Sequence, residues 1–161
     1  MNYRRFGRTG LAVSELVFGG GWVGGLLIDR DDETKLEALR RATAAGINWI
    51  DTAPSYGDEA SERAMGRLLG ALEQAPHVST KVRLDLTRLD DVRAQVEASL
   101  TASLERLRLD SVELLQLHNQ LGMSRSSNRI DVATVVDAVA DALDSMRDQG
   151  LTRHIGITGL G

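Results

Sequence analysis

Short apolar runs recur along this chain at a nearly regular interval, and that regularity restricts the possible folds more than any other feature. The runs begin near residues 16, 48, 77, 112 and 153, roughly one per 30–35 residues. Each gap holds a stretch whose apolar residues have helical spacing, most clearly at residues 92–107. This alternation predicts repeated strand–helix units and therefore a parallel sheet.

Two parallel folds fit this alternation, the (β/α)8 TIM barrel and the open doubly wound sheet. A whole barrel takes about 250 residues, whereas this chain has 161. As a barrel it would be incomplete, with a small N-terminal hairpin around Gly7 and Gly10 and then about five strands and four helices. The length predicts a single domain over residues 1–161.

The composition excludes several classes of protein. A net charge of −4 without a dense basic run argues against nucleic acid as a partner. The absence of cysteine rules out a disulfide framework or a thiolate metal site. No apolar stretch of about 18 residues is present to span a membrane, and no apolar segment follows the N-terminal arginines as in a signal peptide. We therefore predict a cytoplasmic protein.

A glycine-rich loop after the first apolar run bears on the choice of fold. Gly19, Gly21 and Gly24 match the G-x-G-x-x-G spacing of dinucleotide-binding sheets. In those sheets a helix begins within the glycine run, whereas here the segment 26–30 comes before any predicted helix. Asp51 also lies about 30 residues further on rather than about 20. The match is weak, and the loop is more typical of a pocket lining.

Four polar residues fall at or just after the ends of consecutive apolar runs. They are Asp51, Tyr56, Lys81 and His118. Each has an ordinary structural interpretation: a helix cap, a packing residue, a lysine extending to solvent, or a hydrogen-bonded histidine. Together they favour a catalytic site, because the carboxyl ends of parallel strands carry the chemistry of barrel enzymes.

These residue types suit the protonation of a carbonyl oxygen. A phenol beside an ammonium is a stronger acid than a phenol alone, so Lys81 would assist Tyr56 while Asp51 holds the lysine charged. Neutral His118 would orient a substrate carbonyl. Since no side chain supplies a hydride, this chemistry requires a nicotinamide cofactor. No His/Asp cluster has metal-ligand spacing, so a metal-dependent hydrolase is disfavoured.

The motif around Tyr56 resembles that of the aldo-keto reductase family, and the resemblance covers essentially the whole chain. The matching segments are Tyr3–Leu11, Asp51–Gly57, Ser61–Arg63 with Gly66, Ser79–Lys81, Ser103–Leu107, Leu117–His118 and His154–Thr158. The resemblance implies a (β/α)8 barrel with Asp51, Tyr56, Lys81 and His118 as the catalytic tetrad and Tyr56 as the acid. It also implies NADPH-dependent interconversion of aldehydes or ketones with alcohols, or of sugar lactols with lactones, with NADH possible.

The same resemblance implies cofactor contacts. Gly21 and Trp22 should lie beside the cofactor with Asp51, and Thr158 with Gly159 should approach the nicotinamide amide. The family usually has Ser-Asn at that last pair, so Gly159 lacks the usual side-chain amide. Asn119-Gln120 likewise follows His118 where the family often has tryptophan, so that part of the substrate wall differs.

The family's last three strands have no counterpart in this sequence. We expect this to be the N-terminal part of a longer enzyme. A second chain that completes the barrel, or a truncated product that pairs with itself, would also account for the missing strands. Two alternative functions also stay open. One is a non-catalytic, cofactor-binding regulator of the same fold, and the other is an inactive self-associating fragment. The expected ligand is a small carbonyl or sugar compound.

Overall fold

The computed structural model describes residues 1–21, 23–124 and 126–159. It divides into two compact units, and we describe each by itself. The first contains Met1–Ser79 with Arg106–Leu109, and the second contains Thr80–Glu105 with Asp110–Gly161.

The first unit opens with the expected hairpin. Strands β1 (Tyr3–Arg5) and β2 (Ala12–Ser14) are antiparallel. Asn48 fastens the hairpin to the next strand, because its side chain accepts a bond from the Ser14 N–H and donates one to the Ala12 carbonyl. The hairpin prediction is confirmed.

Parallel strands and their helices make up the rest of the first unit. Strands β3 (Phe18–Gly19), β4 (Trp49–Asp51) and the first half of β5 (His77–Val82) pair in that order. Between them lie helices α1 (Leu26–Asp29), α2 (Asp32–Ala44) and α3 (Ala60–Leu68). Ile50, Leu39 and Met65 are almost wholly buried and form part of the core.

The sequence predicts Asp31 or Asp32 as the cap of α2 and Asp58 or Ser61 as the cap of α3, and the structure agrees only in part. Asp31, one of two predicted caps of α2, accepts a hydrogen bond from the Thr34 N–H at 2.8 Å. The predicted cap of α3, Asp58 or Ser61, is wrong. Glu59 occupies that position without a side-chain capping bond, and both Asp58 and Glu59 have left-handed backbone.

The second unit begins with the second half of β5 and repeats the strand–helix pattern. Helix α4 (Val92–Leu107) leads to β6 (Val112–Leu117), and β9 (Thr152–Ile157) lies parallel to β6 with Leu117 opposite Ile157. Between β6 and β9 come β7 (Gln120–Gly122), β8 (Arg129–Asp131), α5 (Val132–Thr134), a π-helical turn at Val135–Val139 and α6 (Ala140–Asp148).

Two details differ from the sequence-based expectation. The stretch 119–130 is rich in Ser, Asn and Arg, which predicts a loop, but it contains β7 and most of β8, which form a parallel two-stranded ladder. The segment 26–30, expected to come before any helix, contains the single helical turn α1 directly after the glycine-rich loop. The parallel strands with intervening helices confirm the predicted α/β class. Within the described residues no helix has the length and apolarity needed to cross a membrane.

Candidate active site

The end of β4 and the loop that follows it hold Asp51 and Tyr56, the two predicted site residues at this strand end. Asp51 closes the strand, and its carbonyl accepts a bond from the Gly20 N–H at 2.8 Å. The loop then turns back on itself, because the Tyr56 N–H donates to the Ala53 carbonyl and the Ser61 N–H donates to the Tyr56 carbonyl. These bonds fix the backbone of Tyr56 at the start of α3.

Tyr56 is partly buried and packs against glycine. A Cβ atom added to Gly21 would lie 3.5 Å from the tyrosine ring, so the ring rests on bare backbone at ordinary contact distance. Gly21 thus lies beside Tyr56. Trp22, its predicted neighbour in the cofactor site, lies outside the described residues.

A buried hydroxyl pair ties the loop to α3. The Thr52 and Ser61 hydroxyl oxygens are 2.8 Å apart, and neither residue is exposed. Gly20 allows this approach, because a Cβ there would come within 2.6 Å of the Ser61 hydroxyl oxygen. The segment between Thr52 and Ser61 is therefore anchored at both ends.

The carboxylate of Asp51 has two buried neighbours that sequence reasoning missed. The Ser79 hydroxyl donates to Asp51 Oδ1 at 2.7 Å, and the Trp49 indole Nε1–H donates to the Ser79 oxygen at 2.9 Å. Ser79 and Trp49 are almost fully buried. The sequence contained a weak indication that Trp49 lies near Asp51, because alternate residues of a strand share a face and Trp49 is two positions before Asp51.

The second unit contains Lys81 and His118. Lys81 is only 5% exposed, so the interpretation that it extends to solvent is wrong. His118 follows β6 and donates its backbone N–H to the Val82 carbonyl at 2.8 Å, next to Lys81 in sequence. Asn119 is also buried, and its side chain bonds both the N–H and the carbonyl of Leu84. The ends of β5 and β6 are thus held together by backbone and amide bonds.

Thr158 and Gly159 follow β9 in the same unit. The Thr158 N–H and hydroxyl both donate to the Leu117 carbonyl, at 2.9 and 3.0 Å. Gly159 is exposed, and a Cβ built there would meet no atom within 4 Å. Thr158 and His118 accordingly lie at the ends of paired strands.

The candidate residues fall into two groups. Gly21, Asp51 and Tyr56 belong to the first unit, and the second contains Lys81, His118, Thr158 and Gly159. Among the described residues, no group of three or more His, Cys, Asp or Glu side chains is arranged to hold a metal ion. The side chains in each group can donate protons or hydrogen bonds at strand ends.

Parallel strands with intervening helices and polar residues at their carboxyl ends define an α/β protein of one of the two parallel classes, the barrel or the doubly wound sheet. More narrowly, the chain belongs to the aldo/keto reductase family, whose model matches residues 15–161. This confirms the resemblance, and the fold is an incomplete (β/α)8 barrel.

Individual relatives agree with this assignment. L-galactose dehydrogenase of Arabidopsis thaliana is 35% identical over 98% of this chain and 48% of its own length. D-threo-aldose 1-dehydrogenase of Pseudomonas sp is 32% identical over 92% of this chain and 51% of its own length. Among solved structures, the glycerol dehydrogenase of Gluconobacter oxydans has a TM-score of 0.75 at 27% identity, covering 99% of this chain and 49% of that one. The chain spans about half the length of the curated relatives it matches.

Proposed function

We propose that the protein containing this chain is an NADP-dependent oxidoreductase that interconverts a small carbonyl compound with its alcohol, or a sugar lactol with its lactone. The observation that carries the proposal is the position of four residues in a chain of this family. Asp51 and Tyr56 end and follow β4, Lys81 lies in β5, and His118 follows β6.

In this proposal each residue has one task. Tyr56 gives its phenolic proton to the substrate oxygen during reduction and takes it back during oxidation. The Lys81 ammonium makes the phenol a better proton donor, and Asp51 keeps that ammonium charged and oriented. His118, as the neutral imidazole, donates a hydrogen bond to the substrate oxygen. The burial of Lys81 supports its role, because electrostatic interactions weaken less away from solvent.

The residues around the two strand ends suit a nicotinamide cofactor. Gly21 leaves bare backbone beside the Tyr56 ring, where a flat group can approach. The Thr158 hydroxyl already donates to a carbonyl, so its oxygen can accept from a carboxamide NH₂. The exposed backbone of Gly159 offers an open approach. A bound reduced cofactor would supply the hydride that accompanies the proton from Tyr56.

The names of two relatives point to sugars as the first substrates to test. One is an L-galactose dehydrogenase and the other an aldose 1-dehydrogenase. We propose aldoses, oxidised at the anomeric carbon, ahead of simple aldehydes and ketones. NADP ahead of NAD is a proposal that rests on the family resemblance alone.

A turnover screen tests the function. The purified protein, in the form its host makes, should change absorbance at the nicotinamide band with aldoses and NADP⁺, or with aldehydes and NADPH. A protein that binds NADPH but turns over nothing in the screen would be the regulatory alternative. One that neither binds nor turns over, and that forms oligomers by light scattering, would be the self-associating fragment.

The role of Tyr56 has a matched control within the chain, since there are only two tyrosines. Tyr56→Phe should lower kcat by at least about 100-fold while NADPH titration by fluorescence stays near wild type, because only the proton donor is lost. Tyr3→Phe removes the other phenol, which donates to the Gly46 carbonyl in the hairpin region, and should leave kcat unchanged. Near-normal turnover by Tyr56→Phe would exclude Tyr56 as the acid.

A further inference from the structure

Hydrogen bonds link two buried side chains, Trp49 and Ser79, to the carboxylate of the partly buried Asp51. Trp49 Nε1 lies 2.9 Å from Ser79 Oγ, and Ser79 Oγ lies 2.7 Å from Asp51 Oδ1. Trp49 is 4% exposed and Ser79 is 1% exposed, so water has little access to either. The whole chain of bonds lies in the first unit.

The direction of these hydrogen bonds follows from chemistry alone. An indole N–H can only donate, so the Ser79 oxygen must accept from Trp49. A serine hydroxyl has a single proton, and an ionised carboxylate can only accept. The Ser79 proton therefore points at Asp51 Oδ1. A hydroxyl that donates to a charged oxygen forms a shorter and stronger bond than one between neutral groups, and 2.7 Å fits that class.

The backbone and the neighbouring rings hold these side chains in place. Asp51 and Ser79 are partners in the register of β4 and β5, and the Thr52 N–H donates to the Ser79 carbonyl at 2.9 Å. The Trp49 ring packs between Phe6, edge-on with centroids 5.5 Å apart, and His77, also at 5.5 Å. The two rings hold the indole in place, and its N–H bonds the Ser79 oxygen. Because the Ser79 hydroxyl is bonded on one side by Trp49 and on the other by Asp51, it has little rotational freedom.

We propose that Ser79, oriented by Trp49, is a positioning residue that fixes the Asp51 carboxylate for the reaction. The inference rests on the proposed function, in which Asp51 orients the Lys81 ammonium. With Oδ1 held by the Ser79 hydroxyl, the carboxylate cannot rotate freely about its Cβ–Cγ bond. Productive geometry in enzymes tolerates only small displacements, so loss of this restraint should slow the chemical step rather than weaken substrate binding.

The kinetic test uses the protein in the form that its host produces, and compares variants that remove or keep the Ser79 hydroxyl. Ser79→Ala should lower kcat about 10- to 100-fold with KM within about twofold, the range expected for a lost hydrogen bond to a charged group. Ser79→Thr retains the hydroxyl on a β-branched side chain and should recover most of kcat. Trp49→Phe keeps an aromatic ring but removes the indole donor, and should lower kcat by about 3- to 10-fold.

Ser14 provides a matched control for a lost buried hydroxyl. Ser14 is 4% exposed and lies in the same unit, and its hydroxyl donates to the Leu16 carbonyl and accepts from the Asn48 N–H. Ser14→Ala should lower the melting temperature about as much as Ser79→Ala but leave kcat unchanged. A fall in kcat common to both variants would instead reflect general destabilisation and would overturn the proposal.

An NMR measurement checks the physical cause independently of turnover. The sequence has two tryptophans, so only two indole ¹⁵N–¹H signals are expected, and Trp49→Phe identifies the one from Trp49. In Ser79→Ala that signal should move upfield and its hydrogen should exchange faster with solvent. An unchanged signal would show that the bond does not exist and would overturn the inference.

The experiments distinguish failure of the positioning role of Ser79 from failure of the proposed function. If the wild-type protein turns over and Ser79→Ala matches it within about twofold, the positioning role falls and the proposed function stands. If the wild-type protein turns over no substrate of the screen, the proposed function falls and takes the positioning role with it. Loss of kcat in Ser79→Ala, recovery in Ser79→Thr and an unaffected Ser14→Ala would establish both.

Discussion

Arg106 carries a buried ion-pair network in the first unit. Its Nε lies 2.6 Å from Glu62 Oε2 and its Nη1 lies 3.0 Å from Glu59 Oε1. Glu62 has no exposed surface, and the Arg106 side chain is 9% exposed. A planar guanidinium satisfies two carboxylates at once, which a lysine amine does less well. The network binds the end of α4 to the first turn of α3, directly after the Tyr56 loop.

Replacing Arg106 should lower the stability of the fold, because it removes the guanidinium that pairs with the wholly buried carboxylate of Glu62. We expect Arg106→Ala to lower the free energy of unfolding by about 3–5 kcal/mol, measured by urea denaturation. Arg41→Ala is the matched control. Arg41 pairs with Glu37 on exposed α2, with side chains 79% and 53% accessible, so its loss should cost at most about 0.5 kcal/mol. Equal effects of the two variants would contradict the special role of burial.

At the scale of elements, α3 packs so closely on the end of α4 that only glycine fits at the contact. A Cβ built on Gly66 would overlap the Arg106 carbonyl oxygen. Gly70, four residues on in the following turn, has no atom within 4 Å of the corresponding position. Gly66 lies inside α3 and Gly70 in the 3₁₀ turn Leu69–Ala71 that follows it, and the space around the two glycines differs.

Alanine at these two positions should have opposite effects. In an open helical site alanine is favoured over glycine by up to about 1 kcal/mol, so Gly70→Ala should be neutral or stabilising. Gly66→Ala should instead cost about 1–3 kcal/mol, since α3 or the end of α4 must move to admit the methyl group. Thermal melts of both variants distinguish these cases. A stabilised Gly66→Ala would show that α3 and the Arg106 backbone have room for a methyl group between them.

Sequence patterns predicted the six-residue strands β5, β6 and β9 well and the short polar ones poorly. Pro76 followed by an apolar run of ordinary strand length predicts a strand over His77–Val82, and β5 has these bounds. Strands β7 and β8 have three residues each in a polar stretch. Of the residues in these two strands only Ile130 is fully buried, so the composition of the stretch did not indicate strands.

The start of α3 shows tertiary contacts overriding local preference. Asp58 is a good capping residue by type, yet its φ of 48° places it in the left-handed region. Glu59, with φ of 71°, reaches Arg63 and Arg106 instead of capping the helix. Arg106 is distant in sequence, so a rule based on neighbouring residues could not find it.

The candidate site was predictable in part. The strand-end positions of Asp51, Tyr56 and His118 followed from the apolar runs alone. Ser79 and Trp49 were missed because their bonds depend on the register between β4 and β5, which a single sequence does not specify. The single-domain prediction and the grouping of the four residues as one tetrad stay predictions.

At the scale of the whole molecule, three surface carboxylates have a pKa below its ordinary value. The backbone N–H and hydroxyl of Thr34 lower the pKa of Asp31, and hydrogen bonds from the Arg67 guanidinium lower the pKa of Asp32. In the second unit, the hydroxyl and then the backbone N–H of Thr87 lower the pKa of Asp85. Each carboxylate is thus favoured in its ionised form in the folded chain.

A lowered folded-state pKa fixes the sign of the pH effect. These carboxylates contribute stability fully above the unfolded pKa of about 3.9, and the contribution is lost as pH falls through the lower folded values. Melting temperatures measured from pH 7 to pH 2.5 should therefore fall more steeply below about pH 4 in the wild type than in a triple Asp→Asn variant at Asp31, Asp32 and Asp85. Parallel curves would mean that other carboxylates dominate acid unfolding.

The burial of the two lysines has a consequence for chemical modification of the folded chain. The sequence contains two lysines, and Lys35 and Lys81 are 6% and 5% exposed, while the remaining 17 basic residues are arginines. The folded chain therefore presents almost no primary amine from a lysine to its surroundings. Acetyl or ubiquitin transfer to these two amines would require local or global unfolding. Unfolded copies of this chain would therefore be modified at these lysines in preference to native ones.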